Sequence, residues 1–166
     1  MSLITPAKAK VEDFARPSFY LAGPIENANQ GGRTWWREEA ATALHALGFD
    51  AISPLGKEDW GPQAIVLSDL RSIEQATGVL AWLPRDIVSV GTAMEIWHAA
   101  VVLNKPVLVW GQPMAGANPW LLHCAGGIFS TLENALVHIQ SYQWQYQDPL
   151  VQALRDQNRL PLPNPQ

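Results

Sequence analysis

Short apolar runs alternate along the chain with segments whose apolar residues recur at helical spacing. The apolar runs end at glycine, proline or polar residues, and they predict five buried strands within 18–23, 49–54, 77–83, 105–110 and 127–130. Apolar residues spaced three or four apart predict helices over 34–47, 63–76, 91–103 and 131–142. The leader 1–16 and the Pro-rich tail 146–166 fit neither pattern, and we expect both to be flexible.

This alternation of strands and helices predicts an α/β fold. We expect one doubly wound domain over 17–145, with a five-stranded parallel sheet of the flavodoxin or Rossmann-like kind and helices on both faces. Ligands of such sheets bind beyond the carboxyl ends of the strands. The candidate functional loops therefore follow Gly23, Pro54, Leu83 and Trp110.

Composition narrows the class of protein. With 166 residues, 48% hydrophobic and 16% charged, the chain can bury one sizeable core. A net charge of −4 and the lack of any Lys/Arg-rich stretch argue against nucleic-acid binding, although a small nucleotide ligand stays possible. The single cysteine, Cys124, excludes an internal disulfide and a cysteine-based zinc site. Since no signal-like or membrane-spanning apolar run is found, we expect a cytoplasmic protein with no membrane partner.

Common catalytic and cofactor fingerprints are missing. The chain has no GxGxxG after its first strand, no GxxxxGK[ST] and no GxSxG. Its four histidines lack metal-ligand spacing, and we expect them to be structural or exposed.

Glu95 is unusual because it lies among apolar residues near the start of the third helix, in "GTAMEIWHAA". Thr92 and Glu95 fit the T-x-x-E capping box, which would give Glu95 a purely structural role. However, this helix follows the third strand and faces the ligand-binding edge. An ionised carboxylate there would be poorly solvated, as suits a nucleophile or a base. Both interpretations stay open at this point.

Other polar residues near the same edge have ordinary interpretations when taken singly. Asp69 would be a solvated helix residue, and Tyr20 a core residue at the end of a strand. Arg33 and Arg37, on either side of the tryptophan pair, would be surface residues.

Taken together, however, these segments resemble the nucleoside 2-deoxyribosyltransferase family. The resemblance rests on "FYLAGPI", a W-R pair after a Gly-rich loop, "SDLRSIEQATGVLAWL" and "GTAMEIWHAAVVLNKPVLV", in this order from Phe19 to Val109. It implies a doubly wound fold and a ping-pong exchange of the base of 2'-deoxynucleosides through a covalent glycosyl-glutamate. The substrates would be purine or pyrimidine deoxynucleosides and free bases, within base salvage.

Residue roles follow from the positions that match the family's motifs. Glu95 would be the nucleophile, Tyr20 would orient it, and Asp69 would bind the base and protonate it as it leaves. Substrate contacts are expected at Gly23, Pro24, Ile25, Ser89 and Gly91, and also at Asn118, which matches an asparagine lent by a neighbouring subunit. The resemblance implies a homo-oligomer with active sites at subunit boundaries and no metal or cofactor. Retaining glycosidases use a carboxylate in the same way, and Trp60 or Trp82 could stack on the base.

Two departures from the pattern keep rival functions open. Ser89 stands where many transferases have an aspartate, and a sister group that hydrolyses 2'-deoxynucleoside 5'-monophosphates has a serine there. That sister group has serine and arginine where this chain has Pro24 and Glu26, which favours the transferase. A (deoxy)nucleoside 5'-monophosphate N-glycosidase is the alternative enzyme, and a non-catalytic nucleotide-binding module is the second alternative.

Overall fold

The computed structural model describes residues 16–25, 35–57, 59–85, 87, 89–111 and 117–147. The predicted flexible leader and tail lie almost wholly outside these residues. The strands are β1 Ser18–Ala22, β2 Asp50–Ile52, β3 Gly78–Trp82, β4 Val107–Trp110 and β5 Gly127–Phe129. The helices are α1 Trp35–Ala46, α2 Pro62–Gln75, α3 Val90–Trp97, α4 Pro119–Cys124 and α5 Leu132–Gln147.

The five strands form one parallel sheet in the order β2-β1-β3-β4-β5. This confirms the predicted α/β class and the five-stranded parallel sheet. The chain winds first towards β2 and then, from β3 onwards, in the opposite direction. The direction therefore reverses between β1 and β3, and a doubly wound sheet opens its ligand crevice at such a switch point.

Alternating residues of each strand pack on opposite faces of the sheet. On β1, Phe19 and Leu21 join α1 and α5 in one core cluster, whereas Tyr20 and Ala22 join α2 and α3 in the other. Trp82 belongs to the α1 side and lies 5.7 Å, between ring centroids, from both Trp36 and Trp110. The stacking role suggested for Trp82 is therefore not supported, because its ring packs on the face opposite Tyr20.

Three helices differ from the prediction. Helix α5 runs to Gln147, beyond its predicted end at 142 and into the first residues of the predicted tail. The third helix begins at Val90 and passes into a π-helical turn at His98–Val102 instead of staying α-helical to Leu103. Helix α4 was missed, because six residues are too few for a helical period to show; Asn118 caps it and Pro119 occupies its first turn. Among the described helices, none is long and apolar enough to cross a membrane.

Candidate active site

Glu95 lies on α3 with its carboxylate directed at Tyr20 of β1. Its Oε1 accepts a hydrogen bond of 2.7 Å from the phenol of Tyr20. The N-cap of α3 is Ser89, whose Oγ accepts from the Thr92 backbone N–H. The capping-box interpretation of Thr92 and Glu95 is therefore wrong, because the N-cap is Ser89, three residues before Thr92, and Thr92 lies inside the helix. With no capping role, Glu95 is left with Tyr20 as its hydrogen-bond donor.

Tyr20 is fully buried in β1, with 0% of its surface exposed. Burial raises the pKa of its phenol well above the usual range, and the neighbouring Glu95 and Asp69 raise it further. The phenol therefore keeps its proton throughout the physiological range. It acts as a fixed donor that sets the orientation of the Glu95 carboxylate.

The environment of Glu95 tunes its charge. Burial raises its pKa from 4.5 to about 7, and the charge of Asp69 adds to this rise. The Tyr20 hydrogen bond and the positive charges of Arg37 and Lys57 oppose it. Near neutral pH a large fraction of Glu95 is consequently ionised and poorly solvated. A carboxylate in this state is a competent nucleophile or base.

Asp69 is buried in α2 and forms an ion pair with Lys57. The Lys57 Nζ to Asp69 Oδ1 distance is 2.5 Å, and each side chain is only 13% exposed. Lys57 comes from the loop after β2, at the ligand edge, and its Nζ lies 5.9 Å from the Trp60 ring centroid. Sequence reasoning missed Lys57, although the loop after Pro54 was a predicted functional loop.

Arg37 is buried, which corrects its expected surface position. It lies in the first turn of α1 and is 2% exposed. Its Nη2 donates to the Gly23 carbonyl at 2.8 Å, and its Nε reaches the Leu21 carbonyl at 3.5 Å. The sequence signal was present, since Arg37 shares the apolar face of the helix with Ala40 and Leu44 at i, i+3 and i+7.

The predicted substrate loop after β1 is tightly packed where it leaves the strand. A Cβ at Gly23 would lie 2.6 Å from Cζ2 of Trp36, so only glycine fits there. Pro24 is buried as well, whereas Ile25 is 42% exposed. Of these three residues, Ile25 is the one whose side chain is open to solvent.

The remaining predicted contacts lie on two helix starts. The Ser89 hydroxyl is engaged within α3 by Thr92, with an Oγ to Oγ1 distance of 2.8 Å. Gly91 is exposed, and no atom lies within 4 Å of the place its Cβ would take. Asn118 is the N-cap of α4, where its Oδ1 accepts from the Trp120 N–H at 2.9 Å. The structure thus brings Tyr20 and Asp69 to Glu95, whereas the hydrogen bond of Asn118 is made within α4.

Other possible sites are less suited to chemistry. Within the described residues, no group of three His, Cys, Asp or Glu side chains is placed to hold a metal ion. A surface depression of about 430 Å³ lies between α1 and α5, and one of about 480 Å³ lies along α2 beside Trp60. Neither is lined by Glu95, Tyr20 or Asp69.

Comparison with known proteins shows a shared fold. No family model and no curated protein matches the chain by sequence. A 2-deoxyribosyltransferase from Bacillus psychrosaccharolyticus is similar in structure, with a TM-score of 0.59, 22% identity, and coverage of 75% of this chain and 91% of the other. A 2-deoxyribosyltransferase from Leishmania mexicana has a TM-score of 0.60 and 19% identity, with coverage of 76% of this chain and 98% of the other. A CMP N-glycosidase from Clostridium botulinum has a TM-score of 0.50 and 19% identity, with coverage of 75% of this chain and 99% of the other. The chain therefore has the fold of the nucleoside 2-deoxyribosyltransferases, as the sequence resemblance implied.

Proposed function

We propose that the protein is a nucleoside 2-deoxyribosyltransferase that exchanges the base of 2'-deoxynucleosides. The observation that carries the proposal is the 2.7 Å hydrogen bond from the buried Tyr20 to Glu95, beside the switch point of the sheet. A half-buried carboxylate that is held in one orientation and is part-ionised near neutral pH suits covalent attack on a sugar. The shared fold and the matching motif positions support the same activity.

In the first half of the reaction, a Glu95 carboxylate oxygen bonds to the anomeric carbon while the bond from that carbon to the base nitrogen breaks. The departing base takes the bonding electron pair and needs a proton. The Tyr20 hydrogen bond fixes Oε1, so the carboxylate does not have to reorient during attack. In the second half, a nitrogen of another base attacks the same carbon, and Glu95 leaves as a carboxylate. The attacking nitrogen gives up its proton, which balances the proton taken by the first base.

The Asp69–Lys57 pair is proposed to serve the base. In the 2.5 Å contact between them, the Lys57 Nζ donates a hydrogen bond and the Asp69 Oδ1 accepts it. Such a pair can accept from a base N–H and donate to a base nitrogen or carbonyl oxygen. We therefore extend the role predicted for Asp69 to both residues, which would together bind the base and supply its proton. The exposed ring of Trp60, beside Lys57, would stack on the base.

A homo-oligomer with active sites at subunit boundaries is also proposed. Helix α3, which carries Glu95, exposes a stripe of large apolar side chains spaced at one helix face. These are Val90, Met94 and Trp97, with exposed fractions of 66%, 67% and 44%; the stripe continues with Val101, 46% exposed, in the π-helical turn that follows α3. Contiguous exposed apolar surface marks an interaction site. Because the stripe and Glu95 share a helix, a second copy seated on the stripe would stand close to the site, where a residue such as the partner's Asn118 could complete it.

Hydrolysis of a 5'-monophosphate is the second candidate. It is favoured by Ser89 at the N-terminus of α3, where backbone N–H groups attract phosphate. It is also favoured by the similarity of the fold to the CMP N-glycosidase. Glu26, the residue that argues against phosphate, lies outside the described residues. The Ser89 hydroxyl is already hydrogen-bonded to Thr92, so we favour a deoxynucleoside over its 5'-monophosphate as the substrate. In this proposal Ser89 lies near the sugar 5'-hydroxyl or the base.

One incubation separates the candidates. The protein is mixed with deoxyinosine and free adenine, and the products are resolved by chromatography. Deoxyadenosine supports transfer, hypoxanthine without deoxyadenosine supports hydrolysis, and neither product supports a non-catalytic binding module. The Glu95→Gln variant should lose the activity by several orders of magnitude, since the covalent route is closed. A variant of the exposed Glu133, Glu133→Gln, is the matched control and should retain it.

Trapping tests the covalent step directly. A 2'-deoxy-2'-fluoro nucleoside slows both halves of the reaction and should add its glycosyl mass to the peptide that contains Glu95. A labelled peptide that lacks Glu95 would contradict the assignment of the nucleophile.

A further inference from the structure

The groove between α1 and α5 is an apolar surface that the proposed reaction does not use. Its volume is about 430 Å³, and its apolar lining comes from Ala43, Ala46, Leu47, Leu136 and Val137. The side chain of Val137 is 59% exposed. Exposed aliphatic surface between two neighbouring helices is typical of a site where a further helix docks.

Negative charge lies at one end of this groove. Glu39 and Glu133 line it, each in the N-terminal half of its helix, and both side chains are exposed. The ion pairs among the described residues are made elsewhere, so neither carboxylate is paired with a described cation. A segment that docks in this groove should therefore combine an apolar face with positive charge.

The sequence that follows α5 allows the chain to reverse its direction at once. Helix α5 ends at Gln147, and Pro149 accounts for this end, because the residue before a proline is disfavoured in the helical conformation. Asp148 and Pro149 are in turn preferred residues for the N-cap and the first position of a new helix. A second helix can therefore start directly after α5 and run back along it.

Residues 149–159 have the pattern of an amphipathic helix, although the tail as a whole is rich in proline. Leu150, Val151 and Leu154 have the spacing of one helix face. Arg155 and Arg159 are one turn apart and lie beside that face. The segment thus offers an apolar face with two cations along its edge, and it complements the groove in both respects.

The lengths of the two elements also match. From Gln147 back to Val137, α5 is about 15 Å long, at about 1.5 Å per residue. A helix over 149–159 that runs back along α5 has the same length of about 15 Å. Arg159 then lies beside Val137, about one helical turn from the level of Glu133. Its long side chain can therefore reach the acidic end of the groove.

We propose that residues 149–159 dock as a helix in the groove between α1 and α5 of the same chain. Leu154 packs on the apolar lining, and Arg159 faces Glu39 and Glu133. Burial of apolar surface holds the helix in place, because an isolated helix shorter than about 12 residues is marginal in water. The inference does not rest on the proposed function, since none of the proposed catalytic residues lines the groove. It limits the expected flexible part of the tail to the residues after Arg159.

Hydrogen exchange followed by mass spectrometry tests the docking in the intact protein. We expect the backbone amides of 149–159 to exchange at least about tenfold more slowly than those of a free peptide of the same sequence. Val137→Lys places a cation in the groove, and Leu154→Asp places a charge on the apolar face of the segment, so each should remove the protection. The matched controls are Asn134→Lys, exposed on α5 outside the groove, and Gln152→Asp, on the polar side of the segment; both should keep it.

Two results would overturn the proposal. One is exchange of 149–159 in wild type as fast as in the free peptide. The other is protection that survives Val137→Lys, because the segment would then be held elsewhere. Val137 is exposed and Leu154 belongs to the segment itself, so neither substitution removes a side chain from the described core.

A dilution series identifies which copy of the chain supplies the segment. Protection that does not depend on protein concentration supports docking within one chain. Protection that is lost on dilution means that the segment occupies the groove of a second copy, and this result also overturns the proposal.

Discussion

Replacing Glu95 by glutamine should stabilise the folded protein at alkaline pH, even though it removes the proposed nucleophile. Glutamine has nearly the same shape, and its side-chain oxygen can still accept the Tyr20 hydrogen bond. What it removes is the free-energy cost of keeping a buried carboxylate ionised. Active-site residues are often held at such a cost in stability.

The size of the effect follows from the shifted pKa. In the folded protein the pKa of Glu95 is about 7, and the unperturbed value is 4.5. A group whose pKa is raised by folding gives its full stabilisation below the unfolded value and loses it as pH rises through the folded value. Above pH 7 the loss approaches about 3 kcal/mol, because each unit of pKa corresponds to about 1.4 kcal/mol. Most of this loss, about 2 to 3 kcal/mol, should develop between pH 5 and pH 8.

The assay is urea unfolding of wild type and Glu95→Gln at pH 5, 6, 7 and 8, with the free energy of unfolding extrapolated to water. The free-energy advantage of the glutamine variant should grow by about 2 to 3 kcal/mol from pH 5 to pH 8. Glu133→Gln, at an exposed position in the first turn of α5, serves as the control. Its free energy of unfolding should change with pH in parallel with that of wild type. If the free energies of unfolding of wild type and Glu95→Gln also change with pH in parallel, the pKa of Glu95 is not raised in the folded protein. That result would refute the electrostatic account of the site.

Four further predictions test separate parts of the site. Tyr20→Phe should raise the pKa of Glu95 by about one unit, because a hydrogen bond to a charged group contributes about 1.5–3 kcal/mol. The acid limb of the kcat/KM profile should then shift to higher pH, and an unshifted limb contradicts the orienting role of Tyr20. Gly91→Ala should leave the melting temperature nearly unchanged, because its Cβ meets open space, but should raise KM for deoxyinosine several-fold if the substrate passes there. Ser89→Ala should cost about 1 kcal/mol of stability, because the N-cap of α3 is lost. The variant should still prefer deoxyinosine to its 5'-monophosphate. If wild type instead prefers the monophosphate and the variant loses that preference, the result favours the N-glycosidase. Met94→Lys should shift the protein to a smaller species in sedimentation velocity, and an unchanged mass contradicts an interface on the exposed face of α3.

The hydrophobic pattern by itself determined the class of sheet and the order of the five strands and of every helix except the short α4. Apolar strands that alternate with amphipathic helices leave few arrangements other than a parallel sheet covered on both faces. The pattern also located the ligand edge, because the carboxyl ends of parallel strands share one side of the sheet. Motif positions then selected Tyr20, Asp69 and Glu95, and the structure brings these three residues to one place.

Local patterns were less reliable where two of them competed. Thr92 and Glu95 satisfy a capping box in the sequence, but Ser89 is an equally good cap and starts the helix earlier. The choice between the two caps depends on where β3 and its loop deliver the chain to α3. That is a tertiary property, and it frees Glu95 to accept its hydrogen bond from Tyr20.

Only the tertiary structure decided which charged residues belong to the site. Tyr20 and Glu95 are 75 residues apart in sequence and meet because β1 and α3 pack together on one face of the sheet. Lys57 was one polar residue of a loop until the fold placed it against Asp69, and Arg37 was assigned to the surface until α1 turned it onto the end of β1. Periodicity reports which face of an element is apolar. Whether a charge on that face is solvated, paired or held against backbone carbonyls depends on the elements that pack around it, and these contacts set the pKa of Glu95.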